Sequence, residues 1–281
     1  MLIAVAAVVT GAAVAPVVAQ KPKAEAVAFL SADQTTQLRG YLFKPGKIGA
    51  AMPAVVIMHG IGGAYSPEAK GKYDATTLSL QYKNWIDLLL KNGFVVLMVD
   101  DYGPVGYPAG LAGVAAADRP PASDPVDARP LHSFGALRYL QSRNDVASGR
   151  VGLIGWQLGG SAVLAAMRDN RSAAGGSGFA AGVAVYPSCS RLVGTQYKAS
   201  GPGPVRIFMG DADKVLSVKD CATLAANGKA SGSDIELRTF EGAGHNYASL
   251  AGAIRSVPAN AKADAATRSE VITLFSTALK N

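Results

Sequence analysis

Four short segments of this chain carry residue types suited to acyl chemistry, and in each a glycine-rich turn follows an apolar run. The first is Gly155-Trp156-Gln157-Leu158-Gly159-Gly160, after Val151–Ile154. Its Gly155-x-Gln157-x-Gly159 core has the spacing of a nucleophile elbow, a strained strand-to-helix turn that projects its central side chain. The flanking glycines are needed because a Cβ at either position would crowd the turn. The centre of such a turn is normally Ser or Cys. Here it is Gln157, whose carboxamide has no ionisable O–H or S–H for a base to remove. The second segment, Val205-Arg206-Ile207-Phe208-Met209-Gly210-Asp211-Ala212-Asp213, reads as a buried strand ending in Gly-x-x-Asp. The third, Thr239-Phe240-Glu241-Gly242-Ala243-Gly244-His245, runs from a strand into a loop carrying His245. The fourth, His59-Gly60-Ile61-Gly62-Gly63, follows Pro53–Met58, and its glycines let backbone N–H groups approach an oxyanion.

The chain order is elbow, acid, histidine, and it assigns roles. Asp213 orients His245 through Nδ1–H, His245 serves as general base and then acid, and the N–H groups of Ile61 and Leu158 form an oxyanion hole. Asp211 competes with Asp213 as the acid, and the Gly-x-x-Asp spacing favours Asp213. His59, in a His-Gly turn, is expected to be a structural hydrogen bonder. His132, among apolar residues of a helix, is expected to be packed or capping. No group of His, Cys and carboxylates has metal-ligand spacing, so no metal is expected. Gly60-x-Gly62-Gly63 and Gly152-x-x-Gly155 do not match the dinucleotide fingerprint and there is no P-loop, so no cofactor is expected.

The elements that must hold these residues can be read from periodicity. Val27–Leu30 and Leu38–Phe43 read as an N-terminal antiparallel pair. Pro53–Met58 and Phe94–Val99 are short continuous apolar runs, as expected of strands buried on both faces. Thr77 to Asn92 has helical spacing and stops at Gly93. A Pro/Gly/Ala-rich stretch from Gly103 to Pro130 is expected to form a lid-like loop over the C-terminal strand ends. Leu131–Arg143 reads as a helix, Val151–Ile154 as a strand and Gly160–Arg168 as the helix after the elbow. Val183–Tyr186, Val205–Met209 and Ile235–Phe240 complete the strands, and Asp264 is expected to cap a last helix ending near Lys280. Strands alternating with helices predict an α/β fold: a mostly parallel, doubly wound sheet with helices on both faces.

The 281 residues suit one large domain, and 49% of them are hydrophobic, enough for a sizeable core. The formal net charge of +7 invites a nucleic-acid partner. Lys and Arg are scattered, however, and no aromatic-plus-basic motif appears, so none is expected. Leu2 to Val18 is almost wholly apolar and Val17-Val18-Ala19 fits a small-residue cleavage site. Residues 1–19 therefore read as a signal peptide, with residues 20–281 as a single mature domain. An uncleaved anchor is the competing reading: the run is near the shortest that spans a bilayer, about 17 residues, and its Ala and Gly weaken it. No Lys or Arg precedes the run. Export and cleavage are favoured, giving a periplasmic or secreted protein with no stable membrane anchor. After export a disulfide between Cys189 and Cys221 is allowed, and both are expected near one sheet edge; the alternative is two unpaired buried thiols.

With these residues in view, the sequence resembles the dienelactone hydrolase family of α/β-hydrolases, especially its exported bacterial members. The resemblance rests on Met58-His59-Gly60-Ile61-Gly62-Gly63, Val99-Asp100-Asp101-Tyr102-Gly103-Pro104, Ile154–Gly160, Gly210-Asp211-Ala212-Asp213 and Gly244-His245. It implies an α/β-hydrolase fold and cofactor-free hydrolysis of carboxylic esters or lactones, with a small ester, lactone or carboxylate-like ligand. Two departures stand out. Relatives usually read Gly-Trp-Ser-x-Gly-Gly or Gly-Tyr-Cys-x-Gly-Gly at the elbow, and Val105 stands where many carry an Arg. Three readings of Gln157 follow. The chain is an enzyme with a substitute, either water activated by His245 or Ser161 one helical turn on. It is a ligand-binding protein without catalysis. Or an altered codon has replaced an ordinary Ser or Cys.

Overall fold

The computed structural model describes residues 23–46, 51–169, 178–200 and 203–280. The cleavage site expected after Ala19 lies outside them. Eight strands form one sheet: β1 (Glu25–Leu30), β2 (Gln37–Phe43), β3 (Met52–Met58), β4 (Val95–Asp100), β5 (Val146–Trp156), β6 (Ala181–Val185), β7 (Val205–Gly210) and β8 (Ile235–Phe240). Their spatial order is β1-β2-β4-β3-β5-β6-β7-β8. The β1–β2 and β2–β4 pairs are antiparallel and every other pair is parallel. The expected architecture, including the antiparallel N-terminal pair, is the one observed.

Alternation along the central strands feeds two cores. Ala54, Val56 and Met58 of β3 and Val95, Leu97 and Val99 of β4 face one side, where they join Phe134, Leu137, Val163 and Leu164. Those partners come from α2 (Arg129–Gln141) and α3 (Leu158–Arg168). Val55, Ile57, Val96 and Met98 face the other side with Trp85, Leu89, Val271 and Phe275. These belong to α1 (Leu80–Lys91) and to the last helix, Pro258–Lys280. Strands covered on both faces need no polar side, which is why they read as unbroken apolar runs. A short helix, α4 (Ser190–Val193), follows β6, α5 (Val218–Ala230) lies between β7 and β8, and α6 (Gly252–Arg255) precedes α7 (Pro258–Lys280). Among the described residues no helix is long and apolar enough to cross a membrane.

Local chemistry moved several boundaries. Thr77 belongs to a separate 3-10 turn, Ala75–Thr77, which Asp74 caps; α1 begins after Ser79, whose hydroxyl faces the Tyr82 N–H. The helix after the long loop starts at Arg129 rather than Leu131, with Pro130 in its first turn, where proline's missing N–H costs nothing. Helix α3 starts at Leu158 rather than Gly160, and β5 reaches back to Val146. Asp264 is not a cap. Helix α7 opens at Pro258, and Asp264 lies inside it, accepting from Arg268 Nε one turn on at 2.9 Å. The stretch from Gly103 to Ala128 holds only three single-turn 3-10 helices, at Gly103–Val105, Ala116–Asp118 and Pro121–Ser123.

Candidate active site

The parallel strands all point their C-terminal ends to one rim, and the four glycine-rich turns meet there. Gln157 sits at the tip between β5 and α3 with φ 53° and ψ −115°, a conformation most side chains avoid. The turn holds because its flanking residues lack side chains. A Cβ on Gly155 would meet the Gly159 carbonyl, and one on Gly159 would meet the carbonyl oxygens of Met58 and His59. Gln157 N–H also donates to Val185 O at 2.9 Å, anchoring the tip to β6.

His245 and Asp213 come together as expected. His245 Nδ1 lies 2.8 Å from Asp213 Oδ2, and the Asp213 side chain is fully buried. Asp213 Oδ1 accepts from Val215 N at 2.8 Å and Leu216 N at 2.9 Å, so both carboxylate oxygens are held. Asp211 is exposed and accepts instead from Gly242 N, away from the histidine ring. The His245 loop is tied to α7 through Gly244 N–H to Asn260 Oδ1, 2.8 Å. With Nδ1–H donated to Asp213, the lone pair of His245 Nε2 faces the elbow. There it meets Gln157 Nε2 at 3.3 Å.

The other end of the same carboxamide reaches the turn after β3. Ile61 N–H donates to Gln157 Oε1 at 3.1 Å. That turn is braced from three sides. Gly60 N–H donates to Tyr82 Oη at 2.9 Å, and burial pushes the Tyr82 phenol up to about 12, keeping it neutral. His59 Nδ1 lies 2.8 Å from Gly60 O. Arg129 Nη2 donates to His59 O at 2.8 Å. Leu158, the second expected hole donor, opens α3, where its N–H has no carbonyl a turn earlier in the helix to bond. Ile61, Gln157, Asp213 and His245 are thus one connected chain of contacts, with Leu158 adjoining it.

Ser161 is not placed to substitute as nucleophile. It is buried under the elbow, where its Oγ bonds Ser188 O and Gln157 O and accepts from Ser188 N. His59 and His132 both turn to Asp101 instead of the elbow, in line with structural roles. Asp101 also pairs with Arg129, Nε to Oδ2 at 2.7 Å, and both side chains are fully buried. Sequence reading overlooked Arg129 and Tyr82, which brace the turn carrying Ile61. The one signal for Arg129 was an arginine at the start of an apolar helix. Cys189 and Cys221 are bridged, and the bridge joins the loop after β6 to α5.

Beside Leu158 a cavity of about 330 Å³ opens between the long loop and the segment after β6, lined by Arg119, Asp124, Val126, Leu158, Ser188 and Arg191. Arg191 is engaged by Asp124 and Asp127, whereas Arg119 Nε donates to a backbone carbonyl, Val114 O, at 3.2 Å. Among the described residues no group of three His, Cys, Asp or Glu side chains could hold a metal ion.

Residues 38–279 match the family model described as dienelactone hydrolase family. The protein YtaP of Bacillus subtilis (strain 168) is 32% identical over 122 residues, 43% of this chain and 40% of YtaP, so the match spans less than half of that relative. Solved structures share the fold, three of them as follows. A dienelactone hydrolase-like promiscuous phosphotriesterase from metagenomic libraries superposes with a TM-score of 0.70 at 18% identity, covering 92% of this chain and 99% of that one. The Pyrococcus furiosus esterase gives 0.62 at 16%, covering 92% and 93%. Esterase 2 of Thermogutta terrifontis, phosphorylated by paraoxon, gives 0.60 at 20%, covering 90% and 95%.

Proposed function

Because the chain belongs to the dienelactone hydrolase family, we propose that its site receives a small carboxylic ester or lactone and that hydrolysis through a covalent acyl-enzyme is impaired at Gln157. One observation carries this reading: the Gln157 carboxamide fills the space between Ile61 N–H and His245 Nε2. A Ser or Cys at that position would pass its proton to Nε2 and attack the carbonyl carbon, while Asp213 stabilised the imidazolium. Gln157 has no such proton to give. Its own oxygen also occupies a donor that would otherwise polarise a ligand's carbonyl. The cavity beside Leu158 supports a second reading, a binding protein without turnover, because it leaves room for the rest of a ligand next to the elbow.

The test is hydrolysis of a short activated aryl ester by the native chain and by Gln157→Ser, with Asp213→Ala and His245→Ala in both backgrounds. Gln157→Ser should gain turnover and lose it again in both controls. Loss of a triad nucleophile costs on the order of a million-fold, so native turnover should be lower by a factor of that order. Paraoxon, which phosphorylates the Thermogutta esterase, should label Gln157→Ser at residue 157 and leave the native chain unlabelled there. Native turnover equal to that of Gln157→Ser and dependent on His245 would overturn the impairment. Thermal stabilisation by an ester without turnover would favour the binding reading.

We also propose that the chain is exported and cut after Ala19 into a single mature domain, with the stretch 103–128 acting as a lid. A bridged cysteine pair is at home in an oxidising compartment, which supports the export.

A further inference from the structure

The orientation of the Gln157 amide is fixed by its two neighbours. Ile61 N–H can only donate, so it must meet the oxygen, and His245 Nε2, its partner nitrogen committed to Asp213, must meet the NH₂. The carboxamide therefore lies as a substrate amide would: carbonyl oxygen on an oxyanion donor, nitrogen on the general acid–base. Gly60 makes room for that oxygen, since a Cβ there would come within 3.2 Å of Oε1. The elbow's backbone pins the side chain in place, and Gln157 remains partly exposed, so solvent reaches it. A carboxamide is a poor nucleophile but a hydrolysable acyl group.

We propose that Gln157 is a modification site, hydrolysed by its own Asp213–His245 pair to glutamate with release of ammonia. Water is the co-reactant. A water molecule first displaces the Gln157 NH₂ from the His245 Nε2 lone pair; Nε2 then takes one proton from that water as the water oxygen bonds to Gln157 Cδ, and the carbonyl electron pair moves onto Oε1 beside Ile61 N–H. The imidazolium then passes its proton from His245 Nε2 to the Gln157 amide nitrogen, the carbonyl re-forms at Oε1, the Gln157 Cδ–Nε2 bond breaks, and ammonia leaves. The carboxyl proton goes to solvent or ammonia. The product is a carboxylate whose oxygens face Ile61 N–H and His245. One event per chain suffices, so slow chemistry is enough. The inference rests on the proposed assignment of Asp213 and His245 as a working pair.

The full chain and its His245→Ala and Asp213→Asn variants are purified in parallel and incubated in heavy-oxygen water at neutral pH. The tryptic peptide Val151–Arg168, in which Gln157 is the sole carboxamide, is then weighed and sequenced by mass spectrometry. The parent peptide should show the amide-to-acid mass increase at residue 157, with one heavy oxygen for each conversion after transfer. Conversion already complete at purification counts equally, provided both variants retain the amide. Each variant should slow conversion by about 100-fold or more, and matching melting temperatures exclude misfolding as the cause. An unconverted parent, or equal conversion in both variants, overturns the proposal. Aryl-ester turnover by Gln157→Ser separates the two ideas. If that variant is active while Gln157 stays an amide, self-hydrolysis fails and the Asp–His assignment stands; if it is inactive too, both fall.

Discussion

Asp101 is fully buried at the end of β4, and four contacts converge on its two oxygens. Arg129 reaches both, at 2.7 and 3.2 Å, and His132 Nδ1 lies 3.1 Å from Oδ2. His59 Nε2 stands 2.7 Å from Oδ1. Burial by itself would raise the Asp101 pKa. The Arg129 charge and the His59 contact outweigh it and hold the carboxyl well below its usual range. Because the folded value is depressed, the stability it contributes is complete above the unfolded carboxylate pKa of about 4 and is lost as pH falls below that. Denaturant melts from neutral pH down to about 3 should show an acid limb in the native chain that is shallower in Asp101→Asn. Arg129→Met, which strands the buried carboxylate, should cost about 3–5 kcal/mol at neutral pH. An unchanged acid limb in Asp101→Asn would place the titration elsewhere. The same arginine holds the His59 carbonyl, one residue from Gly60, so this cluster also sets the turn that presents Ile61 N–H.

At the scale of elements, the site is built by loops whose positions are fixed from behind. The Cys189–Cys221 bridge ties the segment beginning at Ser188, which braces the elbow through Ser161, to the first turn of α5, shortly after the Asp213 loop. Closing a loop over a separation of 32 residues is worth about 3–4 kcal/mol in the chain-entropy account. Reduction should therefore lower the melting temperature by roughly 10 °C, read by calorimetry with and without reductant; no shift would mean the bridge adds nothing to the fold. The glycine turns were legible in the sequence because their cause is local: backbone meets backbone at Gly155 and Gly159 whatever surrounds them. The central strands were legible because a strand covered on both faces has no polar side to interrupt it. Helix starts were less so. Ser79 and Thr77 offer similar capping groups two residues apart, and tertiary packing selects between them: Leu78, buried and bridged to Tyr65, ends the preceding turn. The Arg129–Asp101 pair was not legible, since the two lie 28 residues apart and only the folded sheet brings them together; the Ile61 N–H was expected at the elbow, but not that the Gln157 carboxamide itself would take it.

For the whole molecule, the expected cleavage point and the fold are compatible in a way that can be tested. The sheet's first strand begins at Glu25 on the antiparallel edge, paired along its length with β2 from Glu25↔Leu42 to Leu30↔Gln37. A cut after Ala19 therefore removes nothing from any described element and leaves a short lead into β1. A domain cut there would keep both cores, and the Cys189–Cys221 bridge forms only where thiols are oxidised. Expressed as residues 1–281 in a bacterium able to export it, the protein should appear in the periplasmic or secreted fraction with Gln20 as its N-terminal residue. Its cysteines should be closed to alkylation until reductant is added. Ala19→Arg, which spoils the small-residue cleavage site, should leave a longer, membrane-associated form. The same domain made in a reducing cytosol from residue 20 onward should fold with free thiols and melt lower by the margin set by the bridge. N-terminal sequencing and thiol titration decide the matter together: a cytoplasmic product that keeps Met1 and two alkylatable cysteines would end the export proposal, while the described fold, whose first strand begins at Glu25, would stand.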